Sequence, residues 1–120
     1  MNPEIKTKWL TALRSGNYEQ GREQLATLTE GGTTFCCLGV LCEIAVGEGI
    51  IKSEPSNGNE YLKYDTGSFY LPELVSEWAG LDNNDCPHNP ELLDGVNVGT
   101  LNDERNLDFL AIADRIESDL

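Results

Sequence analysis

Ile5, Trp9, Ala12 and Leu13 recur at helical spacing behind Asn2-Pro3-Glu4, and Gly16 follows them. A capping amide, a proline in the first turn and an acid at the positive end of the dipole predict a first helix that stops at Gly16. Residues 18–30 read as mixed. Gln20-Gly21 interrupts a helix, while Leu25, Thr27 and Thr29 alternate with Ala26 and Leu28 as in a short strand or a helical turn. Gly31-Gly32 breaks the chain, Thr33 or Thr34 supplies a cap, and residues 35–46 are apolar on nearly every side until Gly47 and Gly49. A helix apolar all round belongs at the centre of the core.

Further along, Ile50-Ile51 fits a short strand and residues 53–59 a surface loop. Residues 61–64 and 69–71 flank Asp65-Thr66-Gly67-Ser68, which predicts a β-hairpin with a glycine-containing turn. Pro72-Glu73 opens a helix through Leu74, Val75 and Trp78 that Gly80 stops. Residues 82–99, dense in Asn, Asp, Pro and Gly, predict a long irregular loop with a turn of helix at Glu91-Leu92-Leu93. Leu107, Leu110, Ala111, Ala113 and Ile116, widened by Phe109 and Ile112, mark a last helix. The expected fold is α+β: one domain over residues 1–120, three or four helices around a buried central helix (35–46), and one hairpin (61–71) on its flank.

Length and composition agree with that picture. A chain of 120 residues with 39% hydrophobic content suffices for one core. No apolar run approaches a membrane span, and Met1-Asn2-Pro3-Glu4 lacks the charged-then-apolar layout of a secretory signal, so a soluble cytoplasmic protein is expected. The net charge of −13 is uneven. Residues 1–22 hold four basic side chains (Lys6, Lys8, Arg14, Arg22) against two acids (Glu4, Glu19), a balance of +2; residues 23–120 hold four basic against nineteen acidic, a balance of −15. An acidic body of this kind disfavours direct binding of nucleic acid, which depends on Lys and Arg contacts to phosphate.

The candidate chemistry is sparse. Cys36, Cys37 and Cys42 fall in one apolar segment and read as reduced, buried thiols. Cys36 in the first turn of a helix is where a thiolate nucleophile gains from the dipole, and the only histidine, His88, would be its partner in a cysteine hydrolase. A zinc site from Cys36, Cys37, Cys42, Cys86 and His88 matches no knuckle spacing. Asp82-Asn83-Asn84-Asp85 lacks the glycine and terminal glutamate of a calcium loop. No metal or cofactor is therefore expected, and an enzyme is disfavoured. The remaining candidate lies in residues 9–22, where two aromatics, two arginines and an amide surround two glycines. There Arg14 and Arg22 would hold phosphate, Trp9 and Tyr18 would stack on base or ribose, Gln20 would read a polar edge, and Cys36 would line the pocket. The ligand implied is a small anionic nucleotide.

Several stretches are similar to a family of small proteins encoded by tailed phages and prophages. They are residues 9–21, with the pattern Trp-Leu-x-Ala-Leu-Arg-Ser-Gly-x-Tyr-x-Gln-Gly; Cys36-Cys37-Leu38-Gly39-Val40-Leu41-Cys42; Leu71-Pro72 with Trp78-Ala79-Gly80-Leu81; and Leu101-Asn102-Asp103 with residues 112–117. The resemblance implies a counter-defence protein acting in the host cytoplasm. Two strategies follow: a sponge, expected to be a homo-oligomer, that sequesters a cyclic ADP-ribose derivative or cyclic oligonucleotide without cleaving it; or an acidic inhibitor or DNA mimic that binds a host or defence protein. The sponge is the first expectation, the acidic inhibitor the second and the Cys36–His88 hydrolase the third.

Overall fold

The first helix, α1 (Pro3–Arg14), starts where its capping signal stands: Asn2 Oδ1 accepts from the backbone N–H of Glu4 and Ile5. The stripe Ile5, Trp9, Leu10 and Leu13 is buried, and the chain leaves the helix through Ser15 and Gly16, the latter at φ +78°. The computed structural model describes residues 1–65, 67–81, 89–92 and 95–120.

Residues 18–35 resolve into three short strands. β1 (Glu19–Gln20), β2 (Ala26–Thr29) and β3 (Gly32–Phe35) form one sheet in the order β1-β3-β2, with β1 parallel and β2 antiparallel to the centre. The tight β2–β3 connection places Thr29 opposite Gly32, whose φ of +128° suits a residue without a Cβ. Phe35 is the last residue of this sheet rather than the first of the helix, and the cap is neither Thr33 nor Thr34 but Cys36.

The central helix, α2 (Cys37–Gly47), buries Cys37 through Cys42 without a break, and Ala45 as well. It packs against α1, β3, α3 (Glu73–Ala79) and α4 (Val98–Asp103), which accounts for its lack of a polar face. Contact with the chain just ahead of β2 is direct: a Cβ built on Gly39 would stand 1.8 Å from the carbonyl oxygen of Leu25. Only glycine admits so close an approach of helix and backbone.

The expected hairpin over 61–71 is not formed. Leu62–Tyr64 (β5) instead pairs antiparallel with Ser53–Pro55 (β4), so the segment read as a surface loop supplies a strand and Ile50-Ile51 supplies none. Asp65 takes φ +58° and Tyr64 closes a local bridge to Gly67, which turns the chain before residues 69–71 can pair. α3 ends at Gly80, φ +74°, as its sequence signals require. Residues 91–92 are not helical: Glu91 bridges Asn97, after which α4 begins at Val98, within the last two residues of the stretch expected to be irregular, and runs past its end. Residues 82–88 of that stretch lie outside the described residues.

The last helix, α5 (Phe109–Asp119), is capped by Asp108 and lays Phe109, Ile112, Ala113 and Ile116 into the same core as α1 and α4. Five helices and two small sheets among the described residues make the fold α+β.

Substituting Gly39 by alanine should cost about 3 kcal/mol or more, because the methyl meets backbone rather than a movable side chain. Urea unfolding of Gly39→Ala checks this; a loss below about 1 kcal/mol would mean that the helix shifts freely off β2.

Candidate functional site

The six residues expected to bind a nucleotide are not gathered around one open pocket. Trp9 is fully buried and donates its Nε1–H to the carbonyl of Cys37 at 2.9 Å, leaving no ring face for a base. Arg14 is solvent-exposed and clamps α1 to α5 through Asp114 (2.8 Å) and Glu117 (3.2 Å), and these hydrogen bonds raise its pKa. Tyr18 packs edge-on against Phe35 with ring centroids 5.3 Å apart. Arg22 donates from Nη1 to the carbonyl of Asn102. The two arginines are occupied because the fold brings carboxylates and a carbonyl of residues 102–117 against the N-terminal segment.

Gln20 reaches the same region. Its Nε2 donates to Asn102 Oδ1 (2.9 Å) and to the carbonyl of Leu107 (2.8 Å), so its amide reads the protein and not a ligand. Asn102 itself is fully buried, and its amide is saturated. Oδ1 accepts from Gln20 and from the N–H of Cys37 at 3.3 Å, while Nδ2 donates to the Gly21 carbonyl (2.9 Å) and Asp103 Oδ1 (2.8 Å). One side chain thus joins β1, the start of α2 and the end of α4.

Cys36 is the N-cap of α2. Its Sγ accepts from the N–H of Gly39 at 3.4 Å, the bond a serine or aspartate oxygen usually supplies. Burial pushes its thiol up to about 12, and raises Cys37, Cys42 and the Tyr64 phenol as well. A thiol so buried stays protonated near neutral pH, the opposite of an activated nucleophile. The other half of the expected hydrolase, His88, and the Cys86 and Asp82–Asp85 metal candidates lie outside the described residues. Among the described residues no group of three metal-ligating side chains comes together.

Above Cys36 lies a cleft of about 180 Å³ that the sequence pattern did not single out. Cys36 and Leu38 give it an apolar floor, Glu23, Asp103 and Asn89 its polar wall, and Phe69 and Tyr70 its rim. Both aromatics stand out of the surface, 53% and 68% exposed. No lysine or arginine lines it among the described residues. Glu23 holds a left-handed backbone, φ +69°, in a three-residue γ-turn closed by Gln24 N–H on the Arg22 carbonyl at 2.9 Å. Such strain costs about 1–3 kcal/mol and needs support from its surroundings. Support comes from Asp103, whose Oδ1 accepts the Glu23 N–H at 2.9 Å while held by Asn102. The sequence pattern puts Phe69 and Tyr70 in a strand and Asn102 and Asp103 in a family motif only; the signal for the latter two is an amide-acid pair directly behind Leu101.

Removing the Asn102 amide strands buried partners at Gln20, Gly21 and Cys37, so Asn102→Ala should cost about 3 kcal/mol or more in urea unfolding. Asn102→Asp sets a carboxylate against Asp103, and its deficit should shrink as pH falls through the carboxylate range; a pH-independent deficit would argue against that contact.

The raised thiols and phenol give a second expectation. A group whose acid pKa rises on folding stabilises the fold below its unfolded pKa, here 9.0 for a thiol, and loses that contribution as pH climbs toward the folded value. The thiols and phenol should therefore leave stability unchanged between neutral pH and about pH 9 and lower it steadily above that, and a thiol reagent should label the native protein slowly at neutral pH. Rapid native labelling of Cys36 at pH 7 would contradict the buried cap.

Comparison with known proteins adds one finding. The model of the family described as Domain of unknown function (DUF8296) matches residues 1–120. No curated protein and no solved structure matches the chain.

Proposed function

The chain belongs to the DUF8296 family, and we propose that it acts without chemistry of its own, as an acidic protein that binds and blocks a basic surface of a partner protein. The observation that carries this reading is the cleft over Cys36: two carboxylates beside two exposed aromatic rings, with no cation in its described lining. An anionic nucleotide entering there would meet Glu23 and Asp103, whereas a basic side chain would meet opposite charge and apolar cover. The protonated, capping Cys36 thiol supports binding over hydrolysis. The resemblance to tailed-phage proteins supports a counter-defence setting, in which the partner is a host or defence protein.

A second reading keeps the nucleotide sponge but moves it. A groove of about 420 Å³ on the outer face of α1 is lined by Thr7, Lys8, Thr11, Ser15, Asn17 and Tyr18, and no carboxylate is among its lining residues. Of the expected ligand contacts only Tyr18 lies there, and Lys8 already pairs with Glu48 at 3.1 Å.

The two readings separate in one experiment. The immobilised protein is exposed to bacterial lysate at low and at high salt, alongside Phe69→Ser/Tyr70→Ser. Expected is one basic protein retained at low salt, released at high salt and lost with the double variant. In parallel, native mass spectrometry follows incubation with cyclic nucleotides and cyclic ADP-ribose isomers. Recovery of one intact compound with no protein captured would overturn the partner reading in favour of the α1 groove.

A further inference from the structure

We propose that the cleft over Cys36 is the seat of a single arginine side chain of the partner, its guanidinium between the Glu23 and Asp103 carboxylates and the rings of Phe69 and Tyr70. This deepens the partner reading above and rests on it. Size is the first argument. About 180 Å³ is the scale of one long side chain and falls below the roughly 300–1,000 Å³ of pockets that enclose small-molecule ligands.

Charge and shape select among side chains. Among the described residues the Glu23 carboxylate has no partner, while that of Asp103 is oriented by two bonds to its Oδ1, from the Glu23 N–H and Asn102 Nδ2. A planar guanidinium presents paired donors along its edge to carboxylates and a weakly hydrated face to aromatic rings. The cleft offers both kinds of surface, carboxylates in its wall and rings at its rim. An ammonium is a compact, strongly hydrated point charge that makes less use of the rings and of the apolar floor at Leu38. The amide oxygen of Asn89 is already held by the Gly99 N–H at 2.9 Å, which fixes that part of the polar wall. A Cβ at Gly99 would stand 2.8 Å from that oxygen, so glycine there keeps the wall in place.

The test uses the full chain and three probes: N-acetyl-arginine amide, its lysine counterpart and its neutral citrulline counterpart, followed by amide chemical shifts. Expected are saturable shifts at Glu23, Leu38, Phe69, Gly99 and Asp103 with the arginine probe, weaker shifts with lysine and none with citrulline. Glu23→Gln, an exposed position whose spectrum reports its own folding, should weaken arginine binding about tenfold, the effect of one charge-assisted hydrogen bond. Equal shifts with citrulline and arginine, or no shifts around the cleft, would overturn the assignment even if a salt-labile partner is captured. Arginine-specific shifts without any captured partner would uphold the cleft's ligand class and remove the proposed function.

Discussion

The buried amide of Asn102 is the interaction on which the other features depend. It carries four hydrogen bonds with no exposed surface: to Gln20, Gly21, Cys37 and Asp103. Buried polar groups are costly unless every donor and acceptor is matched, and a matched one admits only one arrangement of its partners. Three of the four partners, Gln20, Gly21 and Cys37, lie more than sixty residues away in the chain. Asn102 therefore fixes how the N-terminal strand segment, the head of α2 and the end of α4 meet. Asp103 is aimed by Asn102, Glu23 is held at positive φ by Asp103, and the cleft wall follows.

The central helix sets the other boundary of the cleft. Its uninterrupted burial from Cys37 to Cys42 removes any solvent-facing stripe, so small residues are needed where it meets neighbours closely. Gly39 allows contact with the Leu25 carbonyl, and the Cys36, Cys37 and Cys42 thiols are buried as small apolar groups. Cys36 adds a cap without adding a charge. A serine or aspartate there would cap as well, but would set a polar or anionic group on the apolar floor of the cleft.

Elements whose signals are local were legible in the sequence. Asn2-Pro3, Gly16, Gly80 and the periodic apolar residues marked α1, α3 and α5 within a residue or two, and the apolar run marked α2 as central. Strand pairing was not, because pairing is a choice between distant segments. Residues 62–64 carried a strand pattern, but nothing near them showed that 53–55 would be the partner in place of 69–71. The expected nucleotide cluster failed to assemble for the same physical reason. Arg14, Gln20 and Arg22 form a charged and polar group in sequence, yet acceptors at Asn102, Leu107, Asp114 and Glu117 arrive from the far end of the chain and occupy them.

That internal pairing also changes what the charge distribution presents outward. The +2 balance of residues 1–22 rests on four cations: Lys6 donates to the Glu117 carbonyl, Lys8 to Glu48, Arg14 to Asp114 and Glu117, and Arg22 to the Asn102 carbonyl. Each is spent within the fold. An approaching molecule meets the field of a protein whose net charge is −13 with all its cations included. Such a field accelerates encounter with a basic surface, but beyond a Debye length of about 8 Å it carries little detail. Selectivity must come from contact, where the Asp103 carboxylate and the Glu23 backbone are held at fixed positions. The strained Glu23 turn and the saturated Asn102 amide supply that fixity, so the network that closes the fold also prepares the acidic cleft over Cys36 with its aromatic rim.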